Sequence, residues 1–414
     1  MKALMFDVLY RFLQAGVKQG FQLCLLLYGT YSLGLDKFGE FAYISAGVVA
    51  FSVFLDFGLS STIVKIIAED RDRKEKVLEV LVPFISTILF IISLMVYVYL
   101  YGFNEYGALK SLTVSVLVFT MPLCAVFEGF NRGIFQFKKN AISTFFSSLV
   151  ALILIVPFAD NYEVIGLLLV QVIYHIVLLT LLFKTCIEKI ELSSLKVSKD
   201  NDFIISVFKY STLIGIASVG QILYTKADVM VLGYYDYYRE ISQYELIDRF
   251  FMYLVIPVAL LGQVAAPRFV NSTLSLIRKY HTVSFIVIFT LSVLLSFGLF
   301  KLYGAYEWNI SDKVDIRGFD LVLCILLISL PFKMFSVFQT QAYINPLGYA
   351  EIIAKTTIFF GFINVVLDLL LVSKFGFIGV FYSTAFVIVG NTLMQTIIFR
   401  VKINNEKLKS AESF

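Results

Sequence analysis

Charged residues are scarce in this sequence of 414 residues: Asp, Glu, Lys and Arg make up 15% of it, whereas 59% of it is hydrophobic. The mean hydropathy is +0.85. Soluble domains carry roughly 25% charged residues and fewer apolar ones. The composition therefore excludes an ordinary soluble enzyme and indicates an integral membrane protein.

Residues that bind metals or form disulfides are also few. The sequence has 2 His and 4 Cys. None of the cysteines lies in a CxxC motif; they are Cys24, Cys124, Cys186 and Cys324. This spacing argues against structural zinc and against disulfides. Walker, HExxH and GxSxG motifs are missing as well, so the sequence predicts no cofactor and gives no support for direct ATP hydrolysis.

Long apolar runs dominate what is present. A helix needs about 20 apolar residues to cross a bilayer. Twelve runs meet this length, near residues 8–33, 39–64, 77–101, 109–131, 141–159, 163–183, 204–233, 241–266, 283–303, 319–342, 352–373 and 376–400. The longest outer connection, 304–318, is too short for a catalytic domain. We predict an all-α polytopic membrane protein with about 12 transmembrane helices.

Lysine and arginine collect in alternate connections between these runs, near residues 65–76, 132–139, 184–199, 268–279 and 400–409. Positively charged loops stay in the cytoplasm. Both termini are therefore predicted to be cytoplasmic. The charge run EDRDRKEKVLE is interpreted as a solvated cytoplasmic loop.

The two halves of the sequence resemble each other. Four residues of the first half recur, identical, 199 positions later in the second half. Gly16, Gln22, Leu33 and Gly34 correspond to Gly215, Gln221, Leu232 and Gly233. We predict two six-helix bundles, 1–199 and 200–414, as parallel repeats. In transporters built this way the substrate path runs between the repeats.

The stretch YTKADVMVLGYY places two charges inside a membrane helix. Lys226 and Asp228 point about 200° apart and cannot pair with each other. The next helix offers partners at similar depth, and we predict a pair between Lys226 and Asp248. Glu245 and Arg249 are spaced to pair at i,i+4. These residues are either structural bridges that fix one hairpin, or a gate or ligand contact on the outer side, because intramembrane charges often mark a pathway.

The first predicted helix carries a polar stripe that cannot face lipid, formed by Arg11, Gln14, Lys18 and Gln22. The seventh helix has a counterpart stripe that includes Gln221, Thr225 and Asp228. Residues at these spacings share one helical face. Lys18 lies at the depth of Asp56, so it forms either an ion pair with Asp56 or a cationic site in a cavity.

Further cations lie in the fourth and tenth helices. Lys333 follows Pro331 near the middle of its span, with Gln339 below it and no carboxylate within four residues. Glu128 and Arg132 are spaced to pair with each other. His175 near Gln171 is interpreted as a buried, satisfied histidine. The excess positive charge predicts a substrate that is anionic, with phosphate the commonest such group; the cations are Arg11, Lys18, Lys333, Lys226 and Arg132.

The segment Leu33–Lys65 resembles the Wzx-type O-antigen and polysaccharide flippases of the multidrug/oligosaccharidyl-lipid/polysaccharide exporter superfamily. It contains their outer-turn pattern and the D-x-G-(L/I) end of the second helix, here Leu33, Gly34, Phe38, Gly39 and Phe41, then Asp56, Gly58 and Leu59. The seventh helix is similar to the family at Lys226, Asp228, Leu232 and Gly233.

The resemblance implies a V-shaped pair of bundles around a central cavity that works by alternating access. The implied substrate is an undecaprenyl-diphosphate-linked oligosaccharide, moved from the cytoplasmic to the periplasmic leaflet of a bacterial inner membrane. Cavity cations would hold the diphosphate: Arg11, Lys18, Lys226 and Lys333. Coupling to H⁺ or Na⁺ would use Asp56, Asp228 or Asp368. Implied partners are membrane lipids and the periplasmic polysaccharide polymerase machinery, with no nucleic acid.

Two other functions fit a polytopic membrane protein. A multidrug-type antiporter would favour acidic cavity residues for cationic drugs, whereas the inner residues here are mainly basic. A membrane-embedded glycan polymerase or transferase would form product from a sugar-lipid substrate, and the flippase interpretation predicts none.

Overall fold

A computed structural model describes residues 2–70, 73–103, 106–188, 200–270, 273–305 and 320–412. Every regular element in these ranges is helical. The helices are α1 (Lys2–Asp56), α2 (Leu59–Glu69), α3 (Arg73–Lys76), α4 (Val82–Phe103), α5 (Ala108–Gly133), α6 (Phe137–Ile187), α7 (Asn201–Tyr234), α8 (Tyr238–Val270), α9 (Leu274–Ala305), α10 (Asp320–Gln339), α11 (Ala350–Phe375) and α12 (Ile378–Glu412). Short π-helical turns, Val77–Leu81 and Thr340–Ile344, precede α4 and follow α10. The predicted all-α membrane fold is confirmed.

Within the described ranges, 9 helices are long and apolar enough to cross a membrane, and the bent α7 makes up to 10. The two longest each contain one residue with a non-helical backbone, Gly34 in α1 and Glu163 in α6. Dividing α1 and α6 at these residues yields the twelve spans that the apolar runs predict. The predicted outer connection 304–318 lies outside the described residues from position 306 onward.

The described chain divides into two compact units, Met1–Val219 and Gly220–Phe414, called here the N-terminal and C-terminal units. The division falls inside α7, later than the boundary predicted at 199/200. In the N-terminal unit α1 packs mainly on α6 and α5, and Phe21 stacks on Tyr174 with ring centroids 4.9 Å apart. In the C-terminal unit α10 packs on α8, α9 and α12. The side chains of α9 are mostly exposed and apolar, as expected for a lipid-facing helix.

Helix α7 begins at a side-chain cap. The carboxylate of Asp200 accepts a hydrogen bond of 2.9 Å from the backbone N–H of Phe203 and one of 3.2 Å from Lys76 Nζ. These bonds lower the pKa of Asp200, the backbone bond most. Because a free helix start leaves N–H groups without acceptors, the cap fixes where α7 starts.

The motif glycine at the α1–α2 break allows a close helix contact. Gly58 has φ 78°, and a Cβ atom there would lie 2.8 Å from the backbone N of Gly215 and 2.9 Å from the carbonyl O of Ser211. L-residues adopt this conformation only at a cost, and backbone atoms cannot move aside easily. The D-x-G pattern is therefore a packing requirement of the N-terminal unit.

We expect Gly58→Ala to lower the thermal unfolding midpoint of the detergent-purified protein. The left-handed backbone alone costs about 1–2 kcal/mol, and the clash adds to it. Gly298→Ala is the matched control, since Gly298 lies inside α9 and a Cβ atom there would meet nothing within 4 Å. Equal midpoints for the two variants would contradict this account.

A second close contact positions the polar residues of the C-terminal unit. A Cβ atom on Gly361 of α11 would lie 2.8 Å from the carbonyl O of Gly220 in α7, so the two backbones touch. Asn364 and Asp368 follow one and two turns along α11. Asp228 follows two turns along α7, so the crossing brings these three side chains together.

Candidate functional site

Asp228 is buried at the meeting point of four helices in the C-terminal unit, with 2% of its surface exposed. Its Oδ1 accepts a hydrogen bond of 2.8 Å from Asn364 Nδ2 of α11. Its Oδ2 accepts bonds from the Tyr244 hydroxyl of α8 and, at 3.5 Å, from the Thr384 hydroxyl of α12. The carboxylate thus has donors from three other helices.

Asp368 is fully buried, and its carboxyl group contacts that of Asp228. Neither Asp368 oxygen has a donor among the described residues. The nearby Ser383 hydroxyl donates to Asn364 Oδ1 at 3.0 Å instead. Two buried carboxylates in contact repel each other and lack solvation, so the pair requires a shared proton or a bound cation. Carboxylate, amide and hydroxyl oxygens suit a hard cation.

The two charges of the stretch YTKADVMVLGYY have different environments. Lys226 Nζ lies 2.8 Å from Glu245 Oε1, and Glu245 Oε2 lies 3.8 Å from Arg249 Nε. The predicted Glu245–Arg249 pair is confirmed, but the predicted Lys226–Asp248 pair is wrong. A step of three residues on a helix turns the side chain by about 300°, so Asp248 points about 60° away from Glu245. The partner of Lys226 lies on α8 as predicted, but the direction of each side chain around the α8 axis was not available from sequence.

Asp248 pairs instead with Lys333 of α10, the cation that has no carboxylate nearby in sequence. Lys333 Nζ lies 3.5 Å from Asp248 Oδ1, and their side chains are 23% and 37% exposed. Both line a small cavity between α8, α10 and α12, together with Tyr244 and Thr384. The wall of this cavity therefore includes the two hydroxyl groups that bind Asp228.

Gln14 is 5% exposed and joins three helices of the N-terminal unit. Its Oε1 accepts a bond of 3.0 Å from Arg11, and its Nε2 donates to Glu128 at 3.1 Å and to Thr144 at 3.2 Å. The predicted Glu128–Arg132 side-chain pair does not form: the Glu128 carboxylate accepts Gln14, and the Arg132 guanidinium turns to a backbone carbonyl. Arg132 Nε donates to the Glu128 backbone carbonyl at 3.3 Å. Gln14 is thus a packing residue, not a free polar lining residue.

Asp56 caps α2 and does not pair with Lys18, so that alternative is wrong. Its carboxylate accepts the Ser60 N–H at 3.1 Å and the Ser60 hydroxyl at 3.0 Å. Helix starts attract such acceptors because their N–H groups are free. Lys18 is exposed and has no ion pair in the described part of the chain. As predicted, His175 is buried and satisfied, with Nδ1 2.8 Å from the Gln171 carbonyl.

The remaining predicted polar lining residues separate into two groups. Gln221 and Thr225 are exposed on α7, and Gln22 is half-buried on α1. Gln339 is fully buried, where its Oε1 accepts the Thr396 hydroxyl at 3.0 Å. It also lies 3.3 Å from His281 Nε2. The prediction that Gln339 lines a cavity is therefore wrong, because residues of α9 and α12 enclose it.

A comparison with known families identifies the chain. The sequence model of a family described as "Polysaccharide biosynthesis protein" matches residues 4–273, well over half of the sequence. The chain belongs to the polysaccharide biosynthesis protein family. No curated protein sequence matches it at a significant level.

Solved structures share the fold of this polysaccharide biosynthesis protein. An inward-facing multidrug resistance MATE family transporter of the MOP superfamily matches with a TM-score of 0.71 at 14% identity, over 95% of this chain and 96% of that chain. The lipid II flippase MurJ, in an inward closed conformation, matches with a TM-score of 0.65 at 18% identity, over 96% and 87%. A MOP superfamily transporter from Pyrococcus furiosus, described as having a binding pocket of reverse polarity, matches with a TM-score of 0.62 at 15% identity, over 98% and 96%. The protein is a multi-pass membrane protein with a transporter fold.

The Asp228–Asp368 and Lys333–Asp248 pairs of this polysaccharide biosynthesis protein each have one residue inside the matched region and one beyond it. Asp228 and Asp248 lie within residues 4–273, whereas Asp368 and Lys333 lie beyond them. All four were predicted site residues, but not in these pairs. Tyr244 was missed, although α8 carries this tyrosine beside the glutamate that binds Lys226.

Asn364 and Thr384 are further site residues that were not predicted from the sequence. Asn364 stands one turn before Asp368 in an otherwise apolar stretch of α11, residues 358–372, and that i,i+4 spacing of two polar residues was a usable signal. No comparable signal marks Thr384, since threonine is common in membrane helices.

Proposed function

We propose that this polysaccharide biosynthesis protein is a Wzx-type flippase. It moves an oligosaccharide repeat unit on undecaprenyl diphosphate, such as an O-antigen unit, from the cytoplasmic to the periplasmic leaflet by alternating access. Both termini then lie in the cytoplasm of a bacterium, and a periplasmic polymerase receives the product. The observation that carries the proposal is Lys333, an accessible cation deep in a membrane helix of a polysaccharide biosynthesis family member.

A carrier is needed because a diphosphate with several sugars cannot cross hydrocarbon without large desolvation costs. Among the predicted cations, Lys226 is neutralised at 2.8 Å by Glu245. The Arg11 and Arg132 guanidinium groups hydrogen-bond within the N-terminal unit. Lys18 and Lys333 are the two whose ammonium groups are best placed to receive phosphate oxygens.

Coupling to an ion gradient is assigned to Asp228 and Asp368. Their contact and the two unsatisfied oxygens of Asp368 favour binding of H⁺ or Na⁺. Asp56 is removed from this role because its carboxylate caps α2. Asp228 and Asp368 are 2% and 0% exposed and so are not open to a drug-sized cation, which argues against the multidrug antiporter despite the shared fold.

The proposal predicts that Lys333→Ala and Lys18→Ala reduce transport more than tenfold, since bidentate or charge-assisted phosphate contacts contribute about 1.5–3 kcal/mol each. The purified protein is placed in liposomes with a polyprenyl-diphosphate-linked oligosaccharide, and an external enzyme reports which sugars have crossed. Lys355→Ala is the control, because Lys355 forms an exposed pair with Glu351.

Wild-type rates for both variants at matched incorporation would refute the cationic site. If the wild-type protein moves no substrate even with an imposed ion gradient, the flippase proposal fails for that substrate. Transport of a cationic dye under the same gradient would then favour the antiporter.

A further inference from the structure

Lys333 differs from Lys226, another cation of the C-terminal unit, in the geometry of its ion pair. Lys226 Nζ lies 2.8 Å from Glu245, whose side chain is 10% exposed. Lys333 Nζ lies 3.5 Å from Asp248, whose side chain is 37% exposed. Charge-assisted N–H···O bonds are normally about 2.7–2.9 Å long. The two lysine side chains are equally exposed, at 23%, so the pairs differ in their length and in their acids. The Lys226 pair has normal geometry and a nearly buried acid, whereas the Lys333 pair is longer and its acid is accessible.

Asp248 is not required by the other cations nearby. Glu245 lies within ion-pair distance of both Lys226 and Arg249. Asp248 faces the cavity, and within the described residues its ion pair is with Lys333. The carboxylate is therefore available to leave Lys333 without disturbing the Glu245 pairs.

The cavity around this pair is mostly apolar, with Phe251, Leu326, Leu330 and Phe381 among its lining residues. Such walls strengthen electrostatic interactions relative to water. An anion that enters must compete with a carboxylate that is attached to the same chain and is therefore present at a high effective concentration.

We propose that Asp248 is a tethered competitor that makes the Lys333 site select anions of charge greater than one. This inference rests on the proposed function and concerns the same site. A monoanion that displaces Asp248 exchanges one negative charge for another and leaves the aspartate without its partner. A diphosphate brings more negative charge to the Lys333 ammonium group. Its stronger attraction compensates for the loss of the Lys333–Asp248 ion pair.

The selection has a physical purpose for a protein that works in a membrane. Phosphatidylglycerol, the competitor used in the test below, carries one phosphodiester charge, and such phospholipids are in large excess over any lipid-linked diphosphate. Without Asp248, Lys333 would offer those headgroups an unopposed cation. Specificity then comes from an element that penalises the wrong ligand as well as one that attracts the right one.

The test measures lipid selectivity on the full-length detergent-purified chain. Native mass spectrometry compares binding of farnesyl diphosphate and of phosphatidylglycerol, mixed at equal concentration. We expect the wild-type protein to prefer the diphosphate. In Asp248→Asn, phosphatidylglycerol binding should rise by about tenfold and the preference should fall, because the internal competitor is gone.

Three further variants make the result decisive. Asp248→Glu keeps a carboxylate and should retain the preference, so its behaviour separates competition from a general loss of structure. Lys333→Met should lose binding of both lipids at this site. Glu351→Gln removes an exposed carboxylate of α11 and should change nothing.

The inference is overturned if binding depends on Lys333 but the preference is the same in Asp248→Asn as in the wild-type protein. Diphosphate binding that survives Lys333→Met unchanged overturns both the inference and the assigned phosphate site. The two failures are thus distinguished by the Lys333 variant alone.

Discussion

Asp368→Asn is expected to reduce ion-driven transport to the level of protein-free liposomes. Asparagine has nearly the same shape as aspartate but cannot accept a proton or neutralise a bound cation. The carboxyl group of Asp368 is fully buried against that of Asp228 and lacks other donors among the described residues. Removing its charge therefore removes the reason for a proton or Na⁺ to bind there.

The measurement has an equilibrium arm that does not depend on transport. A cation that binds the folded state raises its stability, by about 2.7 kcal/mol at a hundred times its Kd. We expect the unfolding midpoint of the wild-type protein to be higher in Na⁺ than in choline at the same ionic strength. Asp368→Asn should show no such rise, and Asp202→Asn, an exposed change at the start of α7, should behave as wild type.

The outcomes separate the two coupling ions. Stabilisation by Na⁺ assigns the pair to sodium. Transport that follows a pH gradient, with no effect of Na⁺ on stability, assigns it to a proton. If Asp368→Asn transports at the wild-type rate under either gradient, the pair has no coupling role.

The membrane fold was predictable because apolar length is a property of each segment alone. The run 8–33 ends where Gly34 breaks α1, and the run 163–183 begins where Glu163 breaks α6. Turn positions and spans are local, so no tertiary information was needed. What local patterns could not provide was the direction of each polar side chain around its helix.

The site shows this limit clearly. Asp228 and Asn364 are hydrogen-bonded partners separated by 136 residues, and nothing in either helix encodes the distance between them. From the sequence, Lys333 has no partner nearby, because the carboxylate that pairs with it belongs to Asp248 on α8. Gln14 was predicted to line a cavity because it belongs to a polar stripe that cannot face lipid. Neighbouring helices can equally satisfy the hydrogen bonds of a polar stripe, as Thr144 of α6 does here by accepting the bond from Gln14.

Glu245→Gln is expected to destabilise the C-terminal unit by about 3 kcal/mol, the lower end for breaking a buried ion pair. Glu245 is 10% exposed and is the ion-pair partner of Lys226 at 2.8 Å and of Arg249 at 3.8 Å. Neutralising it leaves two partly buried cations without that carboxylate. Glu351→Gln, in an exposed pair, should cost less than about 1 kcal/mol.

A second substitution separates charge from packing. Lys226→Met in the Glu245→Gln background removes one uncompensated cation and keeps a side chain of similar length, so part of the lost unfolding midpoint should return. No recovery would mean that the glutamate acts through packing instead. If the double variant recovers stability and still transports the lipid-linked oligosaccharide, the Lys226–Glu245 pair is a structural bridge, and Lys333 is left as the cation of this unit that receives phosphate.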